Sequence, residues 1–307
     1  MQLKQRNFLA SFLILAVLVL TAHAAGELVR VVRNKLSAGD LASGAQAVED
    51  YKRDHGVDAE YLDALGWLAR GAEMLNQPDA AAAYVAELRR EIREEKEEWL
   101  APLGAAIEVE GKLRARREGR GSALNFLESE FARAKNISLR SRIRRTINLL
   151  SLEGQPAPEL NLSDFFGAKP SSFSALKGKP VLLFLWAHWC GDCRAEAATL
   201  ARVTEKFQPR GLVVMAPTRY YGTGAQNKDA TPAEEKQQIE KVWKENYAGL
   251  ESVPVVIDTE AMIRYGVSAT PTFALIDRKG MVRFYSPTRL SEAELSRRIE
   301  TVLSETP

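Results

Sequence analysis

The sequence predicts two domains of different class: an all-α domain of repeat-like helical hairpins, followed by an α/β sandwich built on a mixed sheet. Three observations predict it. From Leu28 to about Leu152 the chain is rich in Ala, Leu, Glu and Arg and holds no convincing run of β-branched residues, which is helical composition. At Gly154-Gln-Pro-Ala-Pro158 two prolines end that stretch. Beyond them, short apolar runs of strand length alternate with helical segments, the pattern of a layered α/β fold. The expected divisions are residues 1–25, 26–152 and 153–307.

The first 25 residues stand apart. Lys4 and Arg6 precede an uncharged apolar run from Phe8 to Leu20, and Ala22-His-Ala24 offers the small residues of a signal-peptidase site. The segment reads as a secretory signal peptide. Left uncleaved, the uncharged stretch from Asn7 to Ala25 would anchor the chain in a membrane instead. Either way the remainder is expected outside the cytoplasm, in the periplasm or cell envelope. No cysteine lies near the cleavage site, so a lipid-modified N-terminus is excluded.

In the helical region Leu62, Leu65, Leu68, Ala69 and Ala72 form one apolar stripe. Asn76-Gln-Pro-Asp79 reads as a turn, and a helix restarts from Ala80 to Ile92 with Asp79 as its N-cap. Leu65-Gly66 through Leu75 is echoed by Leu103-Gly104 through Leu113, each followed by a polar turn and a second helix. The echo resembles a degenerate tetratricopeptide array, although the Trp-x-x-Leu-Gly signature is not present in order; an irregular helical bundle is the alternative. The charge run Arg89 to Glu98 has opposite charges at helical spacing and reads as a solvated face. The basic clusters Arg114 to Arg120 and Arg140 to Arg145 read the same way, with an acidic partner as the alternative. A protein partner remains open for this domain.

After the prolines, Val181 to Leu185 is a buried strand, Arg194 to Phe207 a helix and Leu212 to Met215 a second buried strand. Pro232 to Tyr247 is a helix, Val253 to Ile257 a strand and Ala261 to Tyr265 a helical turn. Thr272 to Ile276 and Met281 to Tyr285 pair through the turn Asp277-Arg-Lys-Gly280. Ser291 caps a closing helix to Leu303, with Glu294 three residues on.

Charge excludes some partners. The 42 Lys and Arg against 40 Asp and Glu give a net +2, with the two signs interleaved, so neither nucleic acid nor an anionic surface is indicated. Cysteine usage is more telling. Cys190 and Cys193 are the only two, and a bridge between them closes too short a loop to act as a staple. Structural zinc wants four ligands and the pair has no ligand cluster nearby, so neither a metal nor a cofactor is expected. The pair reads as chemical. Trp189-Cys190 comes off the first buried strand and Gly191 to Cys193 opens the next helix, which puts the first sulfur at a helix N-terminus. Free backbone N–H groups there stabilise a thiolate, the nucleophile of disulfide exchange. Cys193, one turn on, is placed to resolve a mixed disulfide.

The segment Phe184-Leu-Trp-Ala-His-Trp-Cys-Gly-Asp-Cys-Arg-Ala-Glu196 resembles the active site of the thioredoxin superfamily, in particular its exported TlpA-like and ResA-like thiol-disulfide oxidoreductases. Tyr265-Gly-Val-Ser-Ala-Thr-Pro-Thr-Phe-Ala-Leu-Ile-Asp277 is similar to the same family's cis-proline region. The resemblance spans about Pro156 to Leu303 and implies a thioredoxin-like fold. It also implies a cis bond between Thr270 and Pro271, lying against the cysteine pair and presenting backbone to an extended chain. Glu196 matches a carboxylate frequent in the group; it either moves a proton or is an exposed helix carboxylate paired with Lys or Arg. Departures are visible too. Asp192 beside Cys190 disfavours its thiolate, Phe184 stands where cytoplasmic thioredoxins bury an acid, and Ala198 replaces a helix-kinking proline, so a straighter helix is expected. His188 is read as a surface residue at the strand end, Trp186 as core, Trp189 as the rim of the site, and Tyr220 to Gly224 either as an ordinary turn or as a loop bordering the substrate groove.

The resulting expectation is an enzyme that reduces or isomerises protein disulfides through Cys190 and Cys193, without a cofactor. Its electrons would come from a membrane thiol reductase. The alternative is a helical adaptor whose α/β domain only binds.

Overall fold

The structure, a computed structural model, describes residues 26–224 and 229–305. The signal segment expected over 1–25 lies outside the described residues. The chain forms two compact units, Met1–Phe126 and Leu127–Pro307. Among the described residues no helix is long and apolar enough to cross a membrane.

The first unit is helical, as its composition predicts. It holds α1 (Glu27–Ser37), α2 (Leu41–His55), α3 (Ala59–Met74), α4 (Pro78–Glu91) and α5 (Leu100–Glu118), and the division falls inside α6 (Arg120–Arg133). The stripe of Leu62, Leu65, Leu68, Ala69 and Ala72 is buried, which makes α3 the central helix, packed on α1, α2, α4 and α5. The first Leu-Gly pair of the sequence echo has a packing reason. A Cβ at Gly66 would meet Ala105 Cβ at 3.2 Å and Pro102 Cα at 3.3 Å, so the glycine lets α3 and α5 approach. Asp40 and Asp58 cap their helices, accepting from Ser43 N at 3.0 Å and Tyr61 N at 2.8 Å. α4 starts at Pro78 rather than Ala80, with Gln77 in the cap position and no side-chain cap bond. Proline has no N–H to leave unsatisfied in a first turn, so Pro78 takes that place and the expected cap, Asp79, lies inside the helix.

The second unit contains α7 (Ile137–Ser151), β1 (Phe165–Phe166), β2 (Val181–Leu185), α8 (Gly191–Ala195), α9 (Ala197–Phe207), β3 (Val213–Thr218), α10 (Pro232–Asn246), β4 (Val255–Ile257), α11 (Thr259–Arg264), β5 (Thr272–Ile276), β6 (Val282–Ser286) and α12 (Glu292–Ser304). Its six-stranded sheet runs β1-β4-β3-β2-β5-β6. β2, β3 and β4 are parallel, while β1, β5 and β6 pair antiparallel with β4, β2 and β5, so the sheet is mixed as expected. Alternate residues face opposite ways along a strand. Leu182, Phe184, Val214 and Val255 therefore join one core with Leu200, Phe207, Ile239 and Leu295, and Leu183, Leu185, Met215 and Val256 join another with Met262 and Tyr265. This is the thioredoxin-like α/β sandwich. β1, only two residues long, has no sequence signal.

The change of pattern at the prolines marks the end of a helix, while the compact unit starts earlier. α7 packs on α11 and β6: Asn148 Nδ2 donates to Arg264 O at 3.0 Å, and Gly266, at φ +63°, lies directly against the backbone of Arg144 and Arg145. Periodicity identifies a helix but not which core its apolar face joins.

Candidate functional site

β2 is buried along its whole length, and its continuation carries Trp186 to Cys190 to the carboxyl end of the parallel strands. Trp186 is core, as expected. Its Nε1 donates to Ala216 O at 3.3 Å, its carbonyl accepts from Thr218 Oγ1 at 2.8 Å, and its ring packs on Trp243 and Tyr247. These bonds fix the strand end from which the reactive segment leaves.

Cys190 is the N-cap residue of α8 and is disulfide-bonded to Cys193, with the Cα atoms 5.3 Å apart. The Cys193 amide donates to Cys190 Sγ at 3.0 Å, and Sγ lies 3.4 Å from the Thr270 carbonyl oxygen, to which a thiol would donate. Both settings suit a sulfur that alternates between disulfide, thiol and thiolate, since an amide donor and a helix start favour negative charge on it. Cys190 is 5% exposed and Cys193 fully buried. The Thr270–Pro271 bond is cis. Trp189 is 47% exposed, and its ring meets the Tyr221 ring edge-on at 5.4 Å, a rim as expected. A cavity of about 500 Å³ opens beside them, and Trp189, Cys190 and Thr270 all line it.

Glu196 is not among the lining residues. It is 2% exposed, and its Oε1 accepts from Arg289 Nε at 2.7 Å while Oε2 is buried without a partner. Of the two readings of this residue, the exposed carboxylate is excluded, although an arginine does pair with it. The expected straight helix is also corrected, because the helix is interrupted at Glu196, between α8 and α9. The Glu196 amide is shared between the carbonyls of Asp192 and Cys193, both at 3.2 Å, and its carboxylate is tied to Arg289, so the break needs no proline. Arg289 also reaches Asp192, Nη1 to Oδ1 at 3.8 Å, which offsets part of the acidic influence expected beside Cys190.

One further expectation is corrected. His188 is buried rather than a surface residue, with Nδ1 3.8 Å from Glu235 Oε1. Glu235 is itself buried and spends its oxygens on the loop after β3, accepting from Tyr221 N at 2.7 Å and Gly222 N at 2.8 Å. Of the two readings of that loop, the one that borders the groove fits, because Tyr221 lines the cavity. Burial pushes the Tyr221 hydroxyl up to about 12, against the pull of Arg219. Sequence reasoning missed Arg289, Glu235 and Arg219 altogether. Each lies far along the chain from Cys190 in a segment with no motif.

The AhpC/TSA family matches residues 153–285. Among curated proteins, the thioredoxin-like protein YneN of Bacillus subtilis (strain 168) is 27% identical over 149 residues, covering 48% of this chain and 79% of the relative. The thiol-disulfide oxidoreductase ResA of the same organism is 31% identical over 132 residues, covering 42% of this chain and 64% of the relative. The thiol:disulfide interchange protein DsbE of Pseudomonas fluorescens biotype C is 28% identical over 130 residues, covering 42% and 64%. Among solved structures, a thiol-disulfide isomerase from Corynebacterium glutamicum overlaps 49% of this chain and 97% of its own at 19% identity and a TM-score of 0.41. The C-terminal half of this chain is thus similar to thioredoxin-like thiol-disulfide oxidoreductases and matches the AhpC/TSA family over residues 153–285.

Proposed function

We propose that the chain works outside the cytoplasm, reducing or isomerising disulfides in polypeptide substrates, with Cys190 as the attacking sulfur and Cys193 as the resolving one. The observation that carries this reading is the setting of Cys190 Sγ, a helix cap with the Cys193 amide at 3.0 Å, on the wall of a cavity that Cys193 does not line.

In the reducing direction, the Cys190 thiolate attacks one sulfur of the substrate disulfide. A Cys190–substrate disulfide forms, and the other substrate sulfur leaves as a thiolate and takes a proton. Cys193 then loses its proton and attacks Cys190 Sγ. The Cys190–Cys193 disulfide closes, and the second substrate sulfur departs. Two electrons have passed from the pair to the substrate, so a thiol donor, a membrane thiol reductase in this reading, must restore the pair. In isomerisation a substrate thiol resolves the mixed disulfide and no electrons are lost. No other cofactor enters. Glu196, three residues after Cys193 and with Oε2 unpartnered, takes the Cys193 proton. Trp189, Thr270 and Pro271 border the bound chain, the Thr270 carbonyl steering Cys190. The exposed carboxylate of Asp192 leans the pair toward reduction, by less than it would without Arg289.

The test is trapping. Replacing Cys193 with Ser keeps the nucleophile and removes the resolver, so exported proteins should accumulate on Cys190 as species that vanish on adding reductant. Cys190→Ser should capture far fewer. Partners that bind both variants equally and without a disulfide would leave only the adaptor reading.

A further inference from the structure

The cavity beside Cys190 has a chemistry that disulfide exchange alone does not call for. Its polar wall is made of donors: Ser138, Ser141 and Arg142 from α7, Arg219 after β3, and Ser268 just before the cis peptide. The only carboxylate among the described lining residues is Asp192, which is exposed and faces Arg289. Ser141 is 1% exposed and its Oγ has no hydrogen-bond partner; Ser268 Oγ and Arg219 Nε are likewise buried and unpartnered. The Arg219 guanidinium lies over the Tyr221 ring at 4.6 Å, and among the described residues no carboxylate pairs with it. Buried donors without acceptors are costly, so several around one hollow mark a place built for an acceptor that arrives from outside. The three donors from α7 precede residue 153, outside the residues the family matches.

Resting on the reading of Cys190 as the attacking sulfur, we infer that this hollow receives an acidic side chain, Asp or Glu, that flanks the reactive cysteine of the substrate polypeptide. Because Cys190 walls the cavity, the residues beside the disulfide under attack are the part of a substrate polypeptide brought to it. On a polypeptide, the group that offers only acceptors and a negative charge is the carboxylate. Guanidinium and hydroxyl donors match it with charge-assisted bonds, and Trp189, Tyr221 and Val267 flank its methylene stem.

The test uses the full chain, reduced, and three peptides that differ only in the residue next to a single cysteine: Asp, Asn or Lys. Each cysteine is carried as a mixed disulfide with 2-mercaptoethanol. Release of thiol is timed, and every rate is divided by the rate of the same peptide with dithiothreitol, which removes intrinsic differences in reactivity. The Asp peptide should exceed the Asn peptide by about tenfold, the scale of one charge-assisted hydrogen bond, with the Lys peptide slowest. Within each variant the Asp-to-Asn ratio is the readout, so a general loss of activity does not disturb it. Arg219→Gln should bring the ratio close to one. Ser141→Ala, which leaves net charge untouched, should lower it severalfold, as a diffuse positive field would not. Equal rates for the three peptides in wild type, or an undiminished ratio in both variants, would overturn the inference while leaving disulfide exchange standing. No exchange with any peptide would sink the enzymatic reading and the inference with it.

Discussion

His188 sits two residues before Cys190, 3% exposed, with neither ring nitrogen in hydrogen-bonding geometry. Burial lowers its pKa from the ordinary 6.5, against the opposing pull of Glu235 and the Thr223 backbone. The sign of the consequence follows. Below pH 6.5 the unfolded chain takes up a proton that the folded chain refuses, so the unfolded state gains and stability falls as pH drops. The limiting slope for one group is about 1.4 kcal/mol per pH unit. Denaturation midpoints of wild type and His188→Gln, followed from pH 7.5 to 5, should diverge in slope, the variant losing less stability on acidification. Parallel curves would mean that its pKa is the same folded and unfolded, and divergence in the opposite direction would mean that His188 is charged and paired with Glu235. Neither partner of this contact was legible as buried. Cys190, Cys193, Trp189 and the Thr270–Pro271 bond could be picked out in sequence, because each belongs to a local motif whose residues lie side by side in the chain. Arg289, Arg219, Ser141 and Glu235 reach the site only through folding, and nothing near them in sequence announces it.

Among elements, α7 shows most clearly where sequence reading stops. Its helical pattern is plain, and so are β2, β3 and β5, because a strand buried on both faces reads as an unbroken apolar run, while β6 is legible from the turn that precedes it. Which core α7 serves depends on one close approach, to Gly266. A Cβ there would collide with Arg145 N and would lie 2.6 Å from Arg145 Cα and 2.8 Å from Arg144 C, at a φ of +63°. Backbone cannot swing aside as a side chain can. Gly266→Ala should therefore pay twice, for the left-handed conformation and for overpacking, about 3 kcal/mol in all. For a unit of this size that is roughly 6–12 °C in Tm. Gly280→Ala is the control, since Gly280 has a similar φ of +80° with nothing within 4 Å of the added atom, and it should lose only the conformational part, about 1–2 kcal/mol. Equal losses at the two glycines would show that the contact with α7 carries no weight. The break between α8 and α9 was likewise invisible in sequence, because it falls at Glu196, where no proline marks it.

At the scale of the whole molecule, the active half and the helical half are separable only if the cut respects the compact unit. The family matches from residue 153, and the change of pattern at the prolines suggests the same place. Cutting there removes α7, which supplies Ser138, Ser141 and Arg142 to the cavity and the Asn148 bond to Arg264 O. It also removes the buried Leu139, Ile143 and Ile147, each worth about 1.5–3 kcal/mol when fully buried. Their sum reaches the 5–15 kcal/mol or so that is the entire stability of an ordinary domain. Residues 127–307 should consequently unfold in one cooperative transition and reduce a neutral low-molecular-weight disulfide at a rate within about twofold of the full chain, since distant independent regions act additively. Residues 153–307 should be marginal or unfolded at 25 °C by circular dichroism. Refolding that shorter segment with its exchange rate intact, and with its preference among Asp, Asn and Lys peptides unchanged, would show that α7 neither stabilises the unit nor reads the substrate. Loss of exchange in the longer segment despite a folded spectrum would instead place part of the site in residues 26–126.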